Sequence, residues 1–222
     1  ARSTRGAVGN DDPIIQRFPT NYNLLRERHL CFIFHWCFGT RWKGMVIFMN
    51  GVILYQSKYG AAKRYADWLS EETGFPCIET RKADIHEIAK YDTIILGGGI
   101  YASGIAGLSF LKKNISKLTG KKIIVFCCGA SPYDENALQQ IREHNLKDDM
   151  ADIPLFYCRG AWDMDAMSFK DRTLCSLLRK AVAKKDPADY EIWEKALTEA
   201  GDHTCDWTDK KYMEPILACM KR

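Results

Sequence analysis

From Gly51 onward the apolar positions fall into short runs of strand length, separated by stretches in which they recur at helical spacing. The runs predict five strands, Val52–Tyr55, Cys77–Glu79, Thr93–Leu96, Ile123–Phe126 and Ile153–Tyr157. Pro154 cannot donate to a sheet ladder, so it is acceptable only at an edge or at the first position of the last strand. The helical stripes are Ala62, Tyr65, Ala66 and Leu69 after the first strand, and Leu108, Leu111, Ile115 and Leu118 after the third. A shorter pair, Leu138 and Ile141, follows Pro132; Leu174, Leu177, Leu178 and Ala181 follow the fifth strand, and Tyr212, Ile216 and Leu217 mark a final helix. Strands alternating with helices are the pattern of βαβ units, whose parallel sheet is covered on both faces.

Five such strands are compatible with an α/β fold of three layers, a doubly wound parallel sheet of order 2-1-3-4-5. In that topology a ligand binds beyond the carboxyl ends of the strands, at the switch between strands 1 and 3. Three loops then matter: Ser57 to Ala62, Gly97 to Gly107 and Cys128 to Tyr133. The first joins an apolar strand to a hydroxyl-bearing turn, Ser57-Lys58-Tyr59-Gly60, at the mouth of the helix that opens with Ala61 and Ala62. A helix N-terminus aims free N–H groups back at such a loop, so an anion is expected there.

The second loop contains Gly97-Gly98-Gly99-Ile100-Tyr101-Ala102, then Ser103 and Gly104. It satisfies G-x-G-x-x-A, but not after the first strand and without the acidic residue at the end of the next strand that a dinucleotide ribose requires. Its glycines would let the backbone approach a flat ring closely, with Tyr101 placed to stack on the ring face. The third loop, Cys128-Gly129-Ala130-Ser131, has small residues where a ring edge would need room. Cys127 and Cys128 read as a buried strand end, since adjacent cysteines do not readily close an unstrained bridge. A phosphoacceptor receiver domain would need acids at the ends of strands 1 and 3, and those ends read Tyr55-Gln56-Ser57 and Leu96-Gly97-Gly98. No catalytic acid or base is legible, and no metal site is expected.

A chain of 222 residues with 46% hydrophobic content can bury one good core plus an appendage. The net charge of +4 is uneven: residues 1–48 hold seven of the 32 Lys/Arg and three of the 28 Asp/Glu, so the remainder is balanced. Clustered basic residues on a folded face, the mark of nucleic-acid binding, are therefore not expected. No apolar run reaches 18 residues, and the best candidate, Leu30 to Phe38, is broken by His35. Nine cysteines without a C-x-x-C pair argue against a disulfide framework and for a reducing cytoplasm.

The loop at Ser57, Lys58, Tyr59 and Gly60, together with the chain beyond it, resembles the flavodoxin family, whose first loop surrounds the phosphate of flavin mononucleotide (FMN). Within that family the likeness is to menaquinone-dependent protoporphyrinogen oxidases and related flavodoxin-domain proteins, from about Met49 onward. The departures are Ala61 and Ala62, where Ala62 stands in place of a usual threonine. The resemblance implies a flavodoxin-like domain over residues 49–222 that binds FMN. It places the cofactor against Ser57, Lys58, Tyr59, Gly60, Ala61 and Ala62, against Gly98 to Gly104, and against Cys128, Gly129, Ala130 and Ser131.

It further implies an oxidoreductase that passes electrons from a porphyrinogen-type substrate to a quinone-like or protein acceptor, in the cytoplasm or peripherally at the inner face of the membrane. The segment from Arg159 to Lys185, which plain electron carriers lack, resembles the basic and apolar insertion of those oxidases. Its leucine stripe is expected either to pack as core beneath a solvated face or to contact a membrane or partner. A non-enzymatic electron carrier and a cofactor-free interaction module remain the alternatives.

Residues 1–48 show neither helical nor strand period, and are expected to be an extension outside the core, translated from upstream or artificially added rather than a targeting peptide, with Met45 or Met49 as the natural start. A chain starting at Met49 is expected to fold and bind flavin as well as the full chain. A loss of more than about 1 kcal/mol in thermal unfolding, the size of an average substitution, would make the extension part of the fold.

Overall fold

The computed structural model describes residues 50–201 and 203–221; the extension expected over residues 1–48 lies outside the described residues. The elements run β1 Gly51–Gln56, α1 Ala61–Thr73, β2 Cys77–Glu79, α2 Ile85–Ile88, β3 Thr93–Tyr101, β4 Gly104–Ile105, α3 Leu108–Asn114 and β5 Lys122–Gly129. They continue with α4 Glu135–Asn145, β6 Leu155–Arg159, β7 Ala161–Trp162, α5 Phe169–Val182, α6 Ile192–Ala200, β8 Cys205–Asp206 and α7 Glu214–Met220. The sheet order is β2-β1-β3-β5-β6 and every neighbouring pair on that path is parallel, which is the expected doubly wound order.

Period-two alternation divides the strand side chains between two cores. Val52, Leu54, Ile94, Leu96, Val125 and Cys127 point to the face covered by α2, α3 and α4. Ile53, Ile95, Ile124, Phe126, Cys128 and Cys158 point to the opposite face, where the stripe of α1 (Ala62, Tyr65, Ala66, Leu69) and Ile216 and Met220 of α7 complete the packing. Both faces are dry, so nearly every residue of the central strands is apolar. Pro154 precedes β6, the edge strand, and its carbonyl accepts from Val125 N–H at 2.9 Å.

The loop and strand boundaries are corrected. The loop at Gly97 to Gly107 is largely sheet: β3 continues through the glycines to Tyr101, then turns back as the antiparallel strand β4. Likewise β5 runs on through Cys128 and Gly129, and β6 lies two residues later than expected, at Leu155–Arg159. The glycines are needed where they are because their neighbours fill the space. A Cβ at Gly97 would lie 2.0 Å from the Phe126 ring, and one at Gly98 would lie 2.0 Å from the Ala106 carbonyl oxygen.

After β6 the chain builds a small separate core of Trp162, Met164, Val182, Leu197 and Ala200, closed by the antiparallel ribbon β7–β8 and a bond from Trp162 Nε1 to the Gly201 carbonyl at 3.2 Å. Of the two roles expected for the leucine stripe, packing as core is not the one it takes. Leu174, Leu177 and Leu178 are exposed, as is Ala181, and α5 buries Val182 instead.

The close approach at β3 sets a measurable cost. Gly98→Ala is expected to lower stability to urea by roughly 1–3 kcal/mol, the cost of overpacking a site whose neighbour is backbone and cannot rotate away. An unchanged unfolding midpoint would show that β3 and the Ala106 turn are not pressed together as described.

Candidate functional site

The carboxyl ends of β1, β3 and β5 bring the three expected segments to one edge of the sheet, with the order reversing between β1 and β3. The first segment is the most complete. Gly60 adopts φ +95°, a left-handed conformation that side chains rarely tolerate, and so turns the chain directly into α1. Its N–H is held by the Ser57 hydroxyl oxygen at 2.9 Å, and nothing lies within 4 Å of the position a Cβ would take. The first-turn N–H groups of Ala61, Ala62 and Lys63 have no carbonyl one turn back within the helix, so the start of α1 offers donors to an anion.

The alanines divide their roles. Ala62 is buried in the α1 core, so it offers a ligand its backbone only. Ala61 faces the start of the insertion, where a Cβ on Gly160 would come within 3.2 Å of its methyl. The loop's remaining donors converge on an anion already present: one carboxylate oxygen of Asp171, in the first turn of α5, accepts from both Lys58 Nζ and the Tyr59 hydroxyl. The bond to Lys58 holds the Asp171 carboxyl below its usual range, and the same bond keeps the Lys58 ammonium charged to higher pH than usual. The latch therefore persists above the ordinary carboxylate range and opens as pH falls through the lowered pKa of Asp171.

A phosphate fits this loop on three counts: open space over Gly60, amides free at a helix N-terminus, and a hydroxyl and an ammonium that already bind carboxylate oxygen. Lys58 also ties the loop to the second segment, since its backbone N–H donates to the Tyr101 hydroxyl at 3.2 Å and the Tyr59 and Tyr101 rings meet edge to face at 6.3 Å. Burial pushes the Tyr101 phenol up, so it stays neutral and accepts that bond.

Tyr101 stands at the base of a hairpin whose tip, Ala102 and Ser103, has positive φ at both residues, 46° and 64°. That strained pair is clamped from α4. Asn145, buried at 3% exposure, donates to the Ser103 carbonyl at 2.7 Å and accepts from the Ile105 N–H at 3.0 Å. Of the other residues expected here, Gly98 and Gly99 are buried within β3, Ile100 packs against the α2–α4 core, and Gly104 opens β4. Their small size serves packing; a Cβ at Gly99 would meet the Tyr101 hydroxyl at 2.7 Å.

In the third segment Cys128 and Gly129 end β5, and the space over Gly129 is taken by Tyr157 and Ile100. Burial pushes the Cys128 thiol well up, which keeps it protonated. Ser131 and Ala130 form the loop proper: Ser131 accepts at its carbonyl from the Tyr157 hydroxyl at 2.5 Å, and Ala130 accepts from Arg159 Nε at 3.1 Å. Tyr133, 55% exposed, stands 6.3 Å from the Tyr157 ring.

Two residues of this edge escape a reading of the sequence, Asp171 and Asn145, because both come from helices remote in sequence. Tyr133 closes the third loop where expected, and Arg159, at the start of the insertion, has its guanidinium 4.3 Å from the Trp207 ring centre. Among the described residues no group of His, Cys, Asp and Glu could hold a metal ion, and no helix is long and apolar enough to cross a membrane.

The profile of the family described as "Flavodoxin domain" matches residues 52–189. Among solved structures, the chain is similar to a flavodoxin, WrbA-like protein from Agrobacterium tumefaciens, at 17% identity, over 56% of this chain and 88% of the other, with a TM-score of 0.40. It is also similar to the Trp repressor binding protein from Bacillus subtilis (18% identity, 50% and 81% covered, TM-score 0.37) and to oxidised flavodoxin 1 from Bacillus cereus (21% identity, 58% and 92% covered, TM-score 0.33). No curated protein matches the sequence.

The clamp on the hairpin makes a local prediction. Asn145→Leu strips partners from the Ile105 amide and the Ser103 carbonyl, and is expected to cost about 1–3 kcal/mol of stability. Hydrogen exchange at the Ile105 amide should accelerate before that of β3. Unchanged protection at Ile105 would remove Asn145 from the account of the site.

Proposed function

The chain belongs to the flavodoxin domain family, and from that premise we propose that it binds FMN non-covalently and transfers electrons or hydride between an organic substrate and a quinone-like or protein acceptor. The observation that carries this reading is the open amide-lined loop at the end of β1, joined through Lys58 to Tyr101 at the end of β3. Ser57, Lys58, Gly60 and the first turn of α1 would hold the phosphate, while Tyr101, Ala102 and Ser103 of the hairpin, with Ala130, Ser131 and Tyr133 beyond β5, would flank the ring. When bound, the flavin supplies the redox chemistry, and the protein supplies binding and orientation.

The finer reading is a protoporphyrinogen oxidase-like enzyme with a menaquinone-type acceptor, working in the cytoplasm at the inner face of the membrane. Its support is the insertion. Asp171 places the first turn of α5 against the phosphate loop, and Arg159 and Trp207 border the third segment. Cationic groups beside apolar surface at the edge of a redox site suit a hydrophobic, carboxylated substrate. A diffusing carrier, by contrast, must leave its flavin edge open to protein partners. That second reading is favoured only by the absence of a nameable acid or base among the residues brought together.

The purified protein is expected to be yellow, to gain thermal stability with added FMN, and to oxidise protoporphyrinogen with a menaquinone analogue. Flavin binding without such turnover, but with rapid electron exchange with a reductase, would establish the carrier. A colourless protein indifferent to FMN would leave an interaction module.

A further inference from the structure

We propose that α5 docks the protein on an anionic lipid surface. The stripes of α1 and α5 have the same spacing, i, i+3, i+4 and i+7, yet Ala62, Tyr65, Ala66 and Leu69 are buried whereas Leu174 is 60%, Leu177 59% and Leu178 42% exposed. Phe169, at the start of the helix, is 87% exposed. A two-turn apolar stripe facing outward on an otherwise well-packed α/β protein marks a surface that something covers.

Charge identifies the occupant. Lys170, Lys180 and Lys184 stand exposed on and just beyond the same helix, and none has a carboxylate partner among the described residues. The one acid of α5, Asp171, is bound to Lys58 and Tyr59 of the phosphate loop. A leucine face among unpaired lysines, with an exposed phenylalanine at the helix start, is the composition of a helix that lies in a bilayer interface, its leucines at the acyl boundary and its ammonium groups among lipid phosphates. A protein partner of acidic surface would satisfy the lysines, and a second copy of the chain would cover the leucines; an anionic bilayer does both. The Asp171 latch carries the consequence inward, because the docked helix begins at the loop expected to hold the cofactor phosphate.

The docking is read without cofactor, so its failure leaves the flavin assignment standing, and failure of the flavin assignment leaves docking to be judged alone. The full chain is incubated with vesicles of phosphatidylcholine alone or with a quarter phosphatidylglycerol, at low and high salt, and sedimented. Binding to the phosphatidylglycerol vesicles is expected, weakened by salt, and reduced by about tenfold or more in Leu174→Asp/Leu177→Asp and in Lys170→Glu/Lys180→Glu. All four side chains are exposed, so thermal unfolding of both variants should match that of the parent chain. Binding that both variants retain would place the contact elsewhere, in residues 1–48 for example, and overturn the proposal. So would a chain that ignores anionic vesicles, or one that dimerises through this face, seen as a dimer made monomeric by Leu174→Asp/Leu177→Asp in analytical ultracentrifugation.

Discussion

The register of β3 between β1 and β5 is the constraint on which the rest of the molecule depends. Backbone pairing with both neighbours continues through Gly97 and Gly98, with β5 as far as Gly99, so the strand reaches further toward its carboxyl end than its apolar run suggests. Only residues without a Cβ fit there, because Phe126 and the Ala106 carbonyl already occupy the adjoining space. The extension carries Tyr101 to the level of the first loop, where its hydroxyl receives the Lys58 N–H. A shorter β3 would leave the two halves of the candidate site unconnected.

That connection is supported from three directions. Asn145 fixes the hairpin from α4, Ser57 fixes Gly60 at the entrance of α1, and Asp171 reaches in from α5. The Asn145 clamp is buried and the Ser57 bond is local to the turn, so both pre-form the site in the absence of ligand. The third is exposed and ionic, and exposed pairs contribute little to stability. Its meaning is positional: Asp171 engages the very groups that a phosphate would engage, so a ligand and the insertion share Lys58 and Tyr59.

The insertion is a second structure with its own logic. Trp162, Met164, Val182, Leu197 and Ala200 form a core independent of the two that flank the sheet. Because that core takes the Val182 side of α5, the leucines on the other side have no protein layer left to cover them. A helix in this position can present an apolar face while its first turn remains tied to the phosphate loop.

Periodicity by itself determined five strands alternating with helices and the α1 stripe, because buried faces must repeat at the period of the backbone that carries them; the strand order was one topology compatible with that pattern, and the pairing of β1 with β3 decided it. The residue types at Ser57 and Gly60 also marked the turn into α1, since a hydroxyl and a glycine before a helix have few other uses. What periodicity could not decide was where glycine means loop. Gly97 to Gly99 lack side chains whether they turn or pair, and only the positions of Phe126 and Ala106 settle that they pair. Nor could it assign a partner to a stripe. Leu174, Leu177 and Leu178 read like Ala62, Tyr65 and Ala66, and the difference between a covered face and a bare one lies in what the rest of the chain brings alongside. Asn145 and Asp171 belong to the same class, polar residues on unremarkable helices, made significant by long-range contacts that no local pattern encodes.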